Sequence, residues 1–214
     1  MLMSIKEKYK VKSIDTFQTK EWCLKKHYAG RMPSISYAFG LFQDTLVGVC
    51  TFGMSPNYAE MMAWKPFEIL ELNRLVVNDG LDKNSLSFFL GKCLNMIPKS
   101  KVIISYSDLK MYHHGYIYQA TNWFYTGIGG EGHPIYIMKN GTERHPRHED
   151  KLNMELVERI EKTTGKARYY YFCGDKKTKK EMIKQLRFPV LPYPKGENKR
   201  YDASYNPQVQ TSLF

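Results

Sequence analysis

The alternation of apolar and polar residues predicts a mixed series of strands and helices. Residues 11–14 read as a short first strand, and Thr19 caps a helix over Lys20 to Tyr28. The clearest local pattern runs from Ser34 to Gly53. Tyr37 to Phe42 and Leu46 to Phe52 are apolar, and Gln43-Asp44-Thr45 forms the turn of a β-hairpin between them. Pro56 to Pro66 reads as a loop with exposed aromatics, and Phe67 to Val77 as a strand with Glu71 and Arg74 embedded in it. Asp82 to Asn84 supply N-cap chemistry for a helix over Ser85 to Met96, which Pro98 stops. Lys101 to Tyr106 is a buried strand with Ser107-Asp108 at its C-terminal end. His114 to Trp123 predicts a helix, with Gly127 as a stop, and Pro134 to Met138 a strand closed by the Asn140-Gly141 turn. Glu149 to Lys162 predicts an amphipathic helix, Ala167 to Phe172 a strand and Lys176 to Leu186 a last helix. Past Pro189 the chain is Pro-rich, polar and extended.

Strands alternating with helices predict an α/β sheet covered on both faces. A hairpin followed by β-α-β-α-β is the element order of the GNAT-like acyltransferase architecture, a mixed central sheet flanked by helices. The 214 residues suit one large domain with an appendage. The expected division is a GNAT-like catalytic domain over 1–150, a basic α/β extension packed on it over 151–200, and an extended tail over 201–214.

Charge then changes the picture. Lys and Arg number 32 against 21 Asp and Glu, a net +11. Residues 139–200 hold 17 of these cations and 9 of the anions, so the excess lies in the C-terminal third. It peaks in Lys176, Lys177, Lys179 and Lys180, with aromatic stretches on either side. Cations interleaved with aromatics suit a surface that neutralises phosphates and stacks bases; a solvated helix face and buried strand aromatics account for the same residues. The apolar runs are far shorter than the roughly 20 residues of a membrane span, and Met1 to Lys12 has no secretory h-region. Cys23, Cys50, Cys93 and Cys173 are too scattered for a zinc knuckle, and read as reduced thiols of a cytoplasmic protein.

Several stretches, in order, carry a resemblance to a known family. They are His27-Tyr28 before the hairpin, Glu71-Leu72-Asn73-Arg74-Leu75, Asn84-Ser85-Leu86-Ser87 opening a helix, Ile104 to Asp108, and His114 to Trp123. Over roughly residues 22–140 the chain resembles the Mom family of phage DNA-modification proteins. The resemblance implies a GNAT-like enzyme that converts the N6 amine of adenine in double-stranded DNA to an N6-carbamoylmethyl group and so hides DNA from restriction. It also implies acetyl-CoA as cofactor, and iron has been proposed for the family. Plain acyl transfer joins N6 to a carbonyl carbon, whereas this product joins it to a methyl carbon. Either a metal or radical step intervenes, or the donor is a glycine-like metabolite.

With the resemblance, Asp108 becomes a candidate to accept a proton or hydrogen bond from adenine N6, since ligands gather at the C-terminal ends of strands. Tyr118 is the candidate general acid, with Tyr112, Tyr116 and Tyr125 as competitors. His27 and Tyr28 are candidate catalytic residues and, with Asp108, candidate iron ligands; the His113-His114 pair competes with them. A helix-end histidine, a capping aspartate and half-buried tyrosines are the ordinary structural roles of the same residues. Asn84, Ser85 and Ser87 open a helix whose free N–H groups suit a pyrophosphate, or form an ordinary N-cap. They lack the glycine-rich loop of typical GNAT enzymes. Arg74 is expected to meet an anionic ligand or a carboxylate from elsewhere in the fold, because Glu71, three residues away in a strand, points to the opposite face. Trp64, Trp123 and the tyrosines are candidates to stack on a flipped base. An N-acetyltransferase acting on a protein or small amine, and a non-catalytic basic DNA-binding protein, are the competing readings.

Overall fold

In the computed structural model, residues 4–144, 152–197 and 205–207 are described. Eight strands form one sheet: β1 (Lys10–Ser13), β2 (Tyr37–Phe42), β3 (Leu46–Met54), β4 (Glu68–Val77), β5 (Lys101–Asp108), β6 (Phe124–Met138), β7 (Glu143–Arg144) and β8 (Val157–Cys173). Their order is β1-β2-β3-β4-β5-β8-β6-β7. Among the described residues the β4–β5 junction alone is parallel; the other pairs are antiparallel. The helices are α1 (Ile5–Lys8), α2 (Tyr58–Ala63), α3 (Ser85–Met96), α4 (Tyr116–Ala120) and α5 (Lys176–Lys184).

Period-two alternation sorts the strands onto two layers. On one face Ile103, Tyr125 and Tyr169 pack with Phe89, Leu90 and Cys93 of α3 and Tyr118 of α4. On the other, Val102, Ile104, Tyr170 and Phe172 pack with Trp64 and with Met182 of α5. Farther along that face Trp22 closes over Phe42, Leu46, Val49 and Val76. Met182 is fully buried; removing such a side chain from water contributes about 1.5–3 kcal/mol. Helices therefore cover both faces, and the α/β mixed sheet expected from the element order is the fold observed.

Several expected elements differ. The helix expected over Lys20 to Tyr28 is a 3-10 turn at Thr16–Thr19 followed by a π turn at Trp22–Lys26. The wider turn lets Trp22, Cys23 and Lys26 all bury their side chains, and His27 N–H closes it on the Trp22 carbonyl at 2.9 Å. Thr19 does not cap it; its hydroxyl donates to the Thr16 carbonyl. The loop expected over Pro56 to Pro66 contains α2, capped by Asn57, which accepts from Glu60 N–H. Glu60 is buried and accepts from Trp64 Nε1 and Tyr170 Oη at 3.2 and 3.1 Å, which ties α2 to the sheet.

The helix expected over His114 to Trp123 contracts to α4, between the left-handed residues Gly115 and Asn122. Gly127 does not stop the chain: β6 runs through it. The largest correction concerns Glu149 to Lys162. Residues 149–151 lie outside those described, and from Val157 the chain is β8, not helix. Its amphipathic pattern loses to ladder pairing with β6, which runs from Met138–Val157 to Phe124–Tyr170. β8 sits between β5 and β6, so the basic segment after residue 150 contributes a strand to the interior of the sheet as well as α5 packed on it.

Candidate functional site

Two irregularities of β4 create the site. First, Thr51 pairs with Arg74 and Phe52 with Leu72, so Asn73 is one extra residue, a β-bulge. The bulge resets the alternation. Leu70 and Leu72 face the α3 layer before it, and Leu75 and Val77 face that layer after it. Glu71 and Arg74 consequently share the opposite face. This corrects the expectation that they point apart, which assumed unbroken alternation. Asn73 is held by a bond from Thr51 Oγ1 to its Oδ1 at 2.6 Å and by its own Nδ2 donating to the Ser34 carbonyl at 2.7 Å.

Second, β4 and β5 pair only from Glu68–Lys101 to Glu71–Ile104. Beyond that the two strands part. Ser105 of β5 spans the opening: its hydroxyl donates to the Leu72 carbonyl and meets Tyr118 Oη, both at 2.8 Å. A cavity of about 710 Å³ occupies the wedge. It is lined from both faces of the sheet, with Asn84, Ser85, Ser87, Ile117 and Tyr118 on the α3 side and His27, Tyr28, Arg31, Glu71, Arg74, Tyr106, Asp108 and Lys166 on the other.

The eight residues singled out from the sequence as catalytic or cofactor-binding, His27, Tyr28, Arg74, Asn84, Ser85, Ser87, Asp108 and Tyr118, all line this cavity. Lys176, Lys177, Lys179 and Lys180 do not. They sit on α5, which follows the end of β8 that pairs with Lys101, about 20 Å along β5 from Asp108.

Tyr118 is buried, its ring against Trp123 and Tyr169. Burial raises its pKa, so it remains a phenol with a proton to give. Gly115 sets the start of α4: its φ is +76°, and a Cβ there would lie 2.5 Å from the Tyr169 ring. Of the competing tyrosines, Tyr116 reaches the cavity rim, Tyr125 lies in the core and Tyr112 is exposed outside the lining.

His27 stacks on Tyr28 with ring centroids 4.4 Å apart, and its Nδ1 accepts from Ala29 N–H at 3.1 Å. Burial, then the charges of Arg74, His113 and Lys166, push its pKa down to about 3. His27 is therefore a neutral imidazole at working pH. His113 packs edge-on to Tyr28 and lines the cavity; His114 is outside the lining.

Asp108 fills the capping role and a second one. Oδ1 accepts from Lys110 N–H at 3.0 Å, and Oδ2 lies 3.5 Å from Lys166 Nζ. Arg74 donates to the carbonyls of Asn73 and Arg31 at 2.6 and 2.9 Å, while its buried Nε–H has no acceptor among the described residues. Asn84 opens α3 in the left-handed conformation with no side-chain cap; the Ser85 N–H donates to the Asp82 carbonyl at 3.1 Å, and the rest of the first turn lies at the cavity. Arg74 stands on the other face of the sheet from that turn, so a phosphate at α3 does not use it.

His27, Tyr28 and Asp108, the iron candidates, line the same cavity. Among the described residues no three His, Cys, Asp or Glu side chains come together as metal ligands, and both Asp108 oxygens are already engaged. Trp64 and Trp123 are about 1% exposed and are core residues, which corrects their reading as stacking platforms. Sequence reasoning missed Lys166, Arg31 and Tyr106. Lys166 has no local signal, because its place opposite Asp108 depends on β8 being inserted beside β5.

A mixed sheet parted at its one parallel junction, with polar side chains lining the wedge from both faces, defines an α/β protein with a through-sheet ligand cavity. The chain belongs to the Mom protein family, whose model matches residues 8–195. It is 26% identical over 204 residues to the methylcarbamoylase Mom of Escherichia phage Mu, across 87% of this chain and 83% of that protein. Among solved structures it is similar to a GNAT-family acetyltransferase of Bacillus cereus, with a TM-score of 0.41, 11% identity and coverage of 77% of this chain and 97% of that one. It is also similar to a Bacillus subtilis acetyltransferase in complex with CoA, with a TM-score of 0.42, 10% identity and coverage of 77% and 99%. No helix among the described residues is long and apolar enough to cross a membrane.

Proposed function

We propose that this chain is a phage-type DNA-modifying transferase that places a carbamoylmethyl group on adenine N6 in double-stranded DNA, in the cytoplasm of the host, and so protects that DNA from restriction. The observation that supports this most is the convergence of His27, Tyr28, Asp108 and Tyr118 on one cavity, in a chain of the Mom family. The relative from phage Mu is named a methylcarbamoylase.

The two mouths suggest a division of labour. The first turn of α3, with Asn84, Ser85 and Ser87, suits the pyrophosphate of an acetyl-CoA-type donor through the helix dipole and the N–H groups after Ser85, whose own N–H is taken by Asp82. When bound, such a donor would supply the two-carbon unit; joining its methyl carbon to N6 also requires a two-electron oxidant and an amide nitrogen, the part for which the metal or radical step or the glycine-like donor stands. Tyr118, on the same side and hydrogen-bonded across the wedge to Ser105, is placed to hand its proton to a departing group. The opposite mouth, with Tyr28, His27 and Asp108, takes the target base after it is flipped out of the duplex. Neutral His27 can accept a proton only at a ring nitrogen other than Nδ1, which Ala29 occupies. Helix α5 packs on this face of the sheet through Met182, and its exposed Lys176, Lys177 and Lys180 offer phosphate contacts about a duplex-width away, while Lys179 reaches over Tyr171 toward the other face.

Mass spectrometry of nucleosides from the DNA of cells expressing the protein tests this reading. N6-carbamoylmethyl-deoxyadenosine is the expected product. Unmodified deoxyadenosine together with acetylated protein or amine would establish the N-acetyltransferase, and unmodified DNA with retained DNA binding would establish a binding protein.

A further inference from the structure

Two carboxylates face the base-side mouth, and they are not equivalent. Asp108 has both oxygens engaged, by the Lys110 N–H and by Lys166. Glu71, on the bulged strand, lines the cavity and makes no hydrogen bond or ion pair among the described residues. It is half-buried and lies within electrostatic reach of Lys166, Arg74 and Arg31. Burial nevertheless raises its pKa. A partly desolvated carboxylate with no donor costs free energy, and a hydrogen-bond donor brought by a ligand recovers it. The same face holds a second unused group, the Nε–H of Arg74, in a side chain about nine-tenths buried. The mouth thus offers one spare acceptor and one spare donor from residues three apart on one strand.

An ionised carboxylate can only accept. Adenine presents an N6–H donor beside the N1 acceptor, whereas hypoxanthine and guanine present O6 beside N1–H. With the 6-position of the base at Glu71 and N1 toward the Arg74 Nε–H, the pair matches the first, whereas O6 in the same place would face the carboxylate and N1–H the guanidinium.

Resting on the DNA-modifying reading above, we infer that Glu71, rather than Asp108, is the residue that selects an amine-bearing base, by accepting a hydrogen bond from its exocyclic N6–H. Asp108 is a positioning residue that fixes Lys166 and the turn after β5.

The test compares affinities of the full chain for short single-stranded oligonucleotides of deoxyadenosine and of deoxyinosine, by fluorescence anisotropy at low salt. Inosine replaces the amine by O6 and changes little else. The wild-type protein should prefer the adenine oligonucleotide by about tenfold or more. Glu71→Gln, whose amide can donate as well as accept, should bring that ratio near one, while Asp108→Asn keeps it. A ratio within one sample does not depend on the fraction folded, so reduced folding of either variant does not imitate the result. Preference retained in Glu71→Gln, or lost in Asp108→Asn alone, overturns the assignment. Equal wild-type binding of both oligonucleotides, with carbamoylmethylated adenine present in cells, overturns the role of Glu71 and leaves the DNA reading standing. Failure to bind either oligonucleotide, with no modified nucleoside in cells, overturns both.

Discussion

Glu71 and Arg74 stand three residues apart on one strand and face the same way, because Asn73 is an extra residue opposite the Thr51–Phe52 step of β3. The bulge turns a pattern that would bury one of them in the α3 core into a polar wall. Asn73→Ala removes two side-chain bonds that hold the bulge. The variant should lose about 1–3 kcal/mol in chemical denaturation, with a larger loss of nucleoside modification than Thr51→Ala, which removes only one.

Arg74 is a buried cation held by two backbone carbonyls, and burial lowers its pKa. A desolvated charge without a bonded carboxylate is retained for a ligand rather than for stability. Arg74→Met should therefore melt within a few degrees of the wild type, or above it, while abolishing the modified nucleoside. A large drop in melting temperature would mean that the carbonyls of Asn73 and Arg31 need the guanidinium to fold.

Tyr118→Phe leaves Ser105 bonded to the Leu72 carbonyl, so the wedge stays bridged. Stability should fall by about 1 kcal/mol or less, and product formation by about 10²-fold or more if the phenol gives its proton in the reaction. Ser105→Ala should cost more stability and less activity. The opposite order would make Ser105 the functional hydroxyl.

His27 makes stability depend on pH. Its pKa is about 3 in the folded chain against 6.5 ordinarily, so below 6.5 the unfolded chain binds a proton that the folded chain does not. Stability should be flat above pH 6.5 and fall as pH drops toward 3, with a slope from this group of at most about 1.4 kcal/mol per unit. Glu71, whose pKa is raised, acts with the opposite sign in the acidic range. His27→Asn keeps an acceptor near Ala29 N–H and should remove the His27 slope in melts followed by circular dichroism.

Lys176, Lys177 and Lys180 are exposed, and Lys179 lies over the Tyr171 ring. Replacing all four by Ala should lower the steepness of log affinity against log salt by up to about 3.6, at roughly 0.9 per phosphate contact. An unchanged slope would place the duplex elsewhere.

Much of this was legible in the chain itself. The hairpin, α3, β5 and the strand Tyr169–Phe172 are local patterns of period two or 3.6, and a segment's own side chains suffice to write them. The ordered motifs also picked out side chains that do meet in one cavity. What the chain could not state alone depends on neighbours. A bulge is a property of two strands, so the shared face of Glu71 and Arg74 appears only when β3 lies beside β4. The amphipathic stretch ending at Lys162 satisfies helix and strand alike, and β6 decides between them by pairing its backbone. Lys166 reaches Asp108 only because β8 is inserted next to β5. Sequence determined which residues are polar, charged and periodic. Tertiary structure decided which way they point and what remains unbonded there, because those follow from strand register and burial, which no single segment contains.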